Sequence, residues 1–388
     1  MATYYIARNV ISAPPLGNLS SNDKLAIEYI NKMIFLRDEI RDDFLFDYSE
    51  EELWISATKG LVKGTNDRYS EYITKAEYEL YNSQSADFEG IGIRIFDDTG
   101  QKMVIKVFAD SPASRAGMLI GDVLVGVDGL DITNLTTTEV TTMIRGEKGS
   151  SVQVTALRQG SIMVFECVRD VIGRSFVESE KLTSTIGYIH LLEFGKDSGK
   201  EFVAALEKLE YEGVKGIIFD LRQNSGGNVS DAVLISDELL GDTEIMHTVD
   251  KAGEKKFTYS HSPVNEIPIV VLVDELTASA SEIVAGTLQD NGRAKIVGTQ
   301  TYGKGIIQYI KPLADGSMYK LTYMEYFLPS NKKIHGEGTT PDYIVEQDPQ
   351  FANLPVEAIP HSQDLQLQKA LEVLSAQIGL APIAWMES

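Results

Sequence analysis

The chain has 388 residues, long enough for two or three domains, with an ordinary globular balance of 43% hydrophobic and 24% charged residues. Its formal net charge of −22 argues against nucleic acid and anionic membrane surfaces as partners. The single cysteine, Cys167, permits no internal disulfide, and no apolar run approaches the roughly 20 residues of a membrane span.

Residues 1–20 carry the breakers Pro14, Pro15 and Gly17 and lack the basic-then-apolar pattern of a signal peptide. A helical pattern starts at Asn22. A second helix is announced by Ser49 and Glu52, an S-x-x-E capping box ahead of Leu53, Trp54, Ala57 and Leu61. A short helix over 74–81 closes this N-terminal region. Alternation then takes over in Ile91, Ile93 and Ile95 and in Val104 to Phe108, joined by the turn residues Asp97-Asp98-Thr99-Gly100. A helix over 137–144 and a strand over 151–157 follow, and Cys167 sits in an apolar strand as a small core residue.

From about Gly173 the pattern changes to strands alternating with helices. Ile217-Ile218-Phe219 and Ile269-Val270-Val271-Leu272-Val273 are continuous apolar runs, as expected of central strands covered on both faces. The first ends in Arg222-Gln223-Asn224-Ser225-Gly226-Gly227, a turn whose glycines let backbone approach a ligand closely. The second delivers Thr277-Ala278-Ser279-Ala280-Ser281-Glu282 to the start of a helix running to about Asp290. A serine there is either an N-cap or a nucleophile, because unpaired backbone N–H groups and the helix dipole favour a nearby anion. After a further strand, Gly303-Lys304-Gly305 precedes the strand Ile306 to Ile310. Strand alternation puts Lys304, Ile306 and Gln308 on one face, so the Gln308 amide is expected to orient the Lys304 amine. The turn Ala314-Asp315-Gly316-Ser317 and a helix from Asp364 to Leu371 complete the chain.

Ser279-Ala280-Ser281-Glu282, Leu288-Gln289-Asp290, Gly303-Lys304-Gly305 and Gln308 resemble the carboxyl-terminal processing, or tail-specific, peptidases. Asp220-Leu221-Arg222, Asn224, Gly226 and Gly227 resemble that family's second signature, and Ile334 to Asp342 its closing segment. In the family the serine and lysine lie 25 residues apart, a spacing that Ser279 and Lys304 have and Ser281 lacks. The resemblance implies Ser279 as nucleophile, Lys304 as general base, Gln308 as its orienting partner, and an oxyanion hole from the amides of Gly226 or Gly227 and Ala280. A lysine has a reference pKa of about 10.4, and burial can lower it by roughly 3–5 units, as a base requires. Asp290, late in its helix, reads as structural. The five histidines form no recognisable triad, and no metal-ligand motif or cofactor motif is present.

The order of elements over 87–172 resembles a PDZ domain. The resemblance implies that backbone at Gly90, Ile91, Gly92 and Ile93 holds a terminal carboxylate, while Val140 and Ile144 supply a pocket for the last apolar side chain. The expected architecture is a multidomain α/β protein. It comprises a helical region over 1–86, read either as a cap on the core or as a dimerisation arm, the PDZ-like β domain, a crotonase/Clp-like catalytic core over 173–349, and a helical tail over 350–388. The expected partners are protein or peptide substrates with apolar C-termini, a second copy of the chain, and a regulatory protein. The resemblance also implies work outside the cytoplasm. The same core serves as a binding protein in retinoid-binding relatives, and a PDZ-bearing scaffold is a further alternative. The intact Ser279, Lys304 and Gln308 set argues against the first.

Overall fold

A computed structural model describes residues 20–79, 88–98, 101–108, 110–173, 175–351 and 354–380. The expected irregular start and the Thr99-Gly100 tip of the first hairpin lie outside these residues. Of the short helix expected over 74–81, residues 75–79 are helical and 80–81 lie outside. The chain forms two compact units, one up to Thr65 and one from Asn66 onward.

The first unit contains two helices, Ser21–Asp43 and Glu50–Lys63, neither with a buried residue. Ser20 and Ser49 cap them by accepting from Asp23 N–H and Glu52 N–H. The region expected to be helical up to residue 86 is not wholly so. Glu71–Ile73 is a strand that pairs antiparallel with Met318–Phe327, far along the chain. Three residues carry too little periodicity to announce a strand.

The second unit is built on a six-stranded sheet. Its strands run in the order Val177–Lys181, Ile186–Leu191, Gly216–Asp220, Ile269–Val273, Ala294–Gly298 and Tyr343–Ile344. All neighbours are parallel except the first pair. Alternate side chains of the central strands enter two separate cores. Ile217, Phe219, Val271 and Ile296 pack with the helices Ser198–Tyr211, Val229–Leu239 and Ala280–Asp290. Ile218, Val270, Leu272 and Val297 pack with the C-terminal helix Leu365–Gln377. Burial of both faces explains why these strands lack polar alternation. A five-stranded sheet, containing Ile306–Pro312 and Met318–Phe327, brings the lysine segment back to this core.

The PDZ-like unit has its own apolar core, including Val104, Leu124, Val140, Val154 and Cys167. Burial pushes the Cys167 thiol up to about 11, so it is an unreactive core residue. Two ion pairs tie this unit to the core, Lys106 with Glu178 on the sheet and Arg94 with Glu357 in the short turn Val356–Ala358.

Candidate active site

The strand Ile269–Val273 ends beside the strand Gly216–Asp220, so the two loops that follow them meet. Asp274 fastens the junction by accepting from Gln223 N–H at 2.9 Å and Thr277 N–H at 2.9 Å. Thr277 Oγ1 donates to Leu221 O at 2.9 Å. Asn224 continues the seam, with its carbonyl accepting from Ala278 N–H at 3.0 Å and from Ser281 Oγ at 2.9 Å.

These bonds separate the two serines. Ser281 is fully buried and its hydroxyl is occupied by Asn224. Ser279 is partly exposed, and among the described residues no group outside the first turn of its own helix hydrogen-bonds its Oγ. It stands at the N-terminus of the helix Ala280–Asp290 with φ 57° and ψ −116°, a backbone conformation that L-residues rarely adopt. The hydroxyl stands at the positive end of the helix, facing the N–H of Glu282 in the capping box.

The glycine turn packs directly on this serine. A Cβ at Gly226 would lie 2.6 Å from Ala278 O, 2.8 Å from Ser279 Cβ and 2.9 Å from Ala280 N. A Cβ at Gly227 would lie 2.2 Å from Phe194 O. Both have positive φ, 98° and 138°, so glycine is required at both. The Gly226 N–H donates to Asn224 Oδ1 at 2.9 Å. Among the described residues the N–H groups of Gly227 and Ala280 have no acceptor. Of the three expected oxyanion donors, these two are therefore available to a substrate, and Gly226 serves the close packing.

Lys304 does not lie in the strand. Ile306–Pro312 begins two residues later, and its pairing is interrupted between Ile307 and Gln308. The alternation expected to place Lys304 and Gln308 on one face is thereby lost. Gln308 Nε2 donates at 3.4 Å to Ile306 O and at 3.4 Å to Thr322 Oγ1, not to Lys304. The Lys304 ammonium is half-buried, forms no hydrogen bond, and lies 5.1 Å from the centre of the Tyr69 ring. Burial lowers its pKa, helped by the Lys320 charge and opposed by Asp67 and Glu282. Gly305 lets the closing segment approach, since a Cβ there would lie 2.3 Å from His335 N.

Two side chains with no role assigned from the sequence hold the serine and lysine segments together. Glu282 is fully buried, and its Oε2 accepts from Ser279 N–H at 2.9 Å and from Lys304 N–H at 2.8 Å. Its Oε1 accepts from Gly303 N–H at 2.7 Å and from Thr301 Oγ1 at 2.5 Å. Ser279 and Glu282 form an S-x-x-E pair like Ser49 and Glu52, so the first of these bonds has a sequence signature. Tyr326 is the second, with its hydroxyl 3.0 Å from Ser279 O and 3.0 Å from Lys304 O. Nothing in the local sequence announces it.

The remaining candidates fall elsewhere. Asp290 is at the far end of an 11-residue helix, about 16 Å from Ser279 at 1.5 Å per residue, where it accepts from Ser330 N–H. His247 pairs with Glu244 at 2.9 Å and stacks on Phe327, away from Ser279. Among the described residues no cluster of metal-binding side chains is present.

In the PDZ-like unit, Gly90, Ile91, Gly92, Ile93 and Ile144 line one pocket together with Thr141. Val140, expected there, is fully buried in the domain core. From the helix Thr137–Ile144 the pocket is lined by Thr141 and Ile144, while Val140 packs into the core. Gly92, with φ 78°, must be glycine because a Cβ would lie 2.3 Å from Ser111 Cβ.

Residues 185–345 match peptidase family S41, and residues 90–166 match the PDZ domain. A carboxyl-terminal-processing protease of Synechocystis is 34% identical over 337 residues, covering 84% of this chain and 78% of that protein. The carboxy-terminal processing protease CtpA of Bacillus subtilis is 32% identical over 322 residues, covering 82% and 69%. A solved S41 protease of Bacteroides fragilis is 16% identical with a TM-score of 0.59, covering 88% of this chain and 97% of that one, and so shares the fold. An α/β core with a PDZ domain, two signature loops meeting at Ser279, and relatives matched over most of their length lead to one conclusion. This chain belongs to the carboxyl-terminal processing serine proteases of peptidase family S41.

Proposed function

We propose that the protein is an endopeptidase in which Ser279 attacks the substrate carbonyl and Lys304 acts as general base. The observation that carries this is the partly exposed Ser279 hydroxyl at a helix N-terminus, on a backbone tied to that of Lys304 through a single carboxylate oxygen. Neutral Lys304 accepts the Ser279 proton as Oγ bonds to the carbonyl carbon. The oxyanion forms against the N–H groups of Gly227 and Ala280. The lysine ammonium then protonates the departing amine. Water, deprotonated by the same amine, hydrolyses the acyl-enzyme and regenerates Ser279. Gln308 is held only by two 3.4 Å contacts, so its amide is free to swing toward the lysine when substrate is bound.

The PDZ-like groove recruits substrates by an apolar C-terminus, which adds to the strand Ile93–Asp98 at the edge of its sheet. Recruitment also regulates the site. A second copy of the chain covers the helices Ser21–Asp43 and Glu50–Lys63, whose Tyr29, Phe35, Leu36 and Leu61 are exposed. A regulatory partner protein and a place outside the cytoplasm complete the reading. No helix among the described residues is long and apolar enough to cross a membrane.

The catalytic assignment is tested with a fluorophosphonate, which bonds to an activated serine. Mass mapping should find one adduct on Ser279 in the parent, none in Ser279→Ala, and slow labelling in Lys304→Ala. An adduct on another serine, persisting in Ser279→Ala, would overturn it.

A further inference from the structure

Tyr326 lies in the strand Met318–Phe327, 47 residues beyond Ser279 in sequence. Its side chain is fully buried in the main apolar core, and only its hydroxyl reaches polar atoms. That hydroxyl is 3.0 Å from the carbonyl oxygen of Ser279 and 3.0 Å from that of Lys304. Glu282 Oε2 holds the N–H groups of the same two residues. Both backbone polar groups of Ser279 and of Lys304 are thus engaged by a side chain common to the two.

The two carbonyls depend on Tyr326 unequally. Ser279 O also accepts from Glu282 N–H at 2.9 Å and Ile283 N–H at 3.0 Å, as the first turn of the helix requires. Among the described residues Lys304 O has no other donor. Tyr326 N–H, in turn, donates to Gly305 O at 3.0 Å. Backbone and side chain of one residue therefore fix two consecutive peptide units beside the lysine. Burial, with the Glu282 charge nearby, pushes the phenol pKa well above its ordinary value, so the hydroxyl stays a donor throughout any working pH range.

We propose that Tyr326 is a positioning residue for proteolysis, its hydroxyl setting the distance and direction from the Lys304 amine to the Ser279 hydroxyl. This rests on the assignment of Ser279 and Lys304 as nucleophile and base. The carbonyl clamp makes the lysine loop a fixed extension of the nucleophile helix. Without it the segment retains its N–H bonds to Glu282 and gains freedom to pivot about them. A misplacement of that kind acts on proton transfer, and so on kcat, more than on substrate affinity.

The test is Tyr326→Phe, which keeps the ring in the core and removes only the hydroxyl. Competent sites are counted by end-point fluorophosphonate labelling, thermal unfolding is recorded, and kcat, KM and the pH profile are measured with a protein substrate. The expected result is a kcat per labelled site lower by about tenfold to a hundredfold, with KM within about twofold. The acidic limb of kcat/KM should also move to higher pH as the lysine becomes more solvated. Unchanged kcat per site and an unmoved limb would overturn the proposal, as would a loss accounted for entirely by fewer labelled sites. Ser279→Ala, measured alongside, separates the two readings. Full activity in that variant defeats the catalytic assignment itself, whereas an inactive Ser279→Ala beside a fully active Tyr326→Phe defeats only the clamp.

Discussion

Arg222 and Asp364 form a two-pronged buried ion pair, with Nη1 to Oδ1 at 2.9 Å and Nη2 to Oδ2 at 2.8 Å. Asp364 caps the C-terminal helix, accepting from Leu367 N–H at 3.0 Å, and Arg222 opens the loop that contains Gly226 and Gly227. Asp220 completes the group, bonded to Arg222 and to Tyr188 Oη at 2.7 Å. Replacing Asp364 by Ala strands part of a buried guanidinium and should cost about 3–5 kcal/mol, read as a lower denaturant midpoint. Burial alone would raise the Asp220 pKa, but the Arg222 charge, His190 and the hydrogen bonds from Arg222 together outweigh it and hold the carboxyl below its ordinary 3.8. A carboxylate depressed in the folded state stabilises above its unfolded pKa and loses that contribution as pH falls. Acid should therefore destabilise the parent progressively below that value.

The glycine turn makes a second prediction. Gly227→Ala sets a Cβ 2.2 Å from a carbonyl oxygen of Phe194 at φ 138°, and the backbone must move to relieve it. Displacing one oxyanion donor should lower kcat by about 10²–10³. Circular dichroism should still report a folded protein. Activity equal to the parent would show that the Gly227 N–H is not a donor to the reaction.

The lysine predicts a pH dependence with a definite sign. Lys304 is a base only when neutral, and burial lowers its pKa from the ordinary 10.5. Activity should rise with pH along a limb centred below 10.5. Replacing Lys320 by Gln removes a nearby positive charge that lowers this pKa, so the limb should move to higher pH. A shift to lower pH would contradict the electrostatic account.

The PDZ-like pocket connects physically to the Gly226-Gly227 turn. Arg94, on the strand Ile93–Asp98, pairs with Glu357. Next to it, Val356 N–H donates to Gln223 Oε1 at 3.2 Å, and Gln223 Nε2 donates to Leu354 O at 2.8 Å. Gln223 directly precedes Asn224 and the glycines. Arg94→Glu should change the cleavage rate of a tail-bearing protein by about fivefold or more, and the exchanged pair Arg94→Glu with Glu357→Arg should restore it. Additive effects in that cycle would show that the pair does not couple the two sites.

Much of the architecture was legible because it rests on local patterns. Continuous apolar runs such as Ile269–Val273 announced the central strands, and glycines flanked by polar turn residues announced the loops. Ser279 and Ser281 were not separable from local sequence alone, since the difference is a hydrogen bond from Ser281 to Asn224, 57 residues away. The alternation argument for Gln308 failed because Lys304 precedes its strand and the ladder is irregular after Ile307. Ile144 lines the pocket as expected, but Val140 packs into the core and Thr141 lines the pocket beside Ile144, because an eight-residue helix carries too little periodicity to say which of its neighbouring faces meets the groove. Tyr326 and the short strand Glu71–Ile73 act through pairings distant in sequence, which no local signal carries.

The most direct measurement is cleavage of an unstructured protein with an apolar C-terminus, followed by mass spectrometry of the products. It would compare the parent with folded Ser279→Ala and Lys304→Ala variants. The account predicts peptide-bond cleavage in the parent and a loss of activity of at least about 10³-fold in both variants. Cleavage at the parent rate by Ser279→Ala would contradict it.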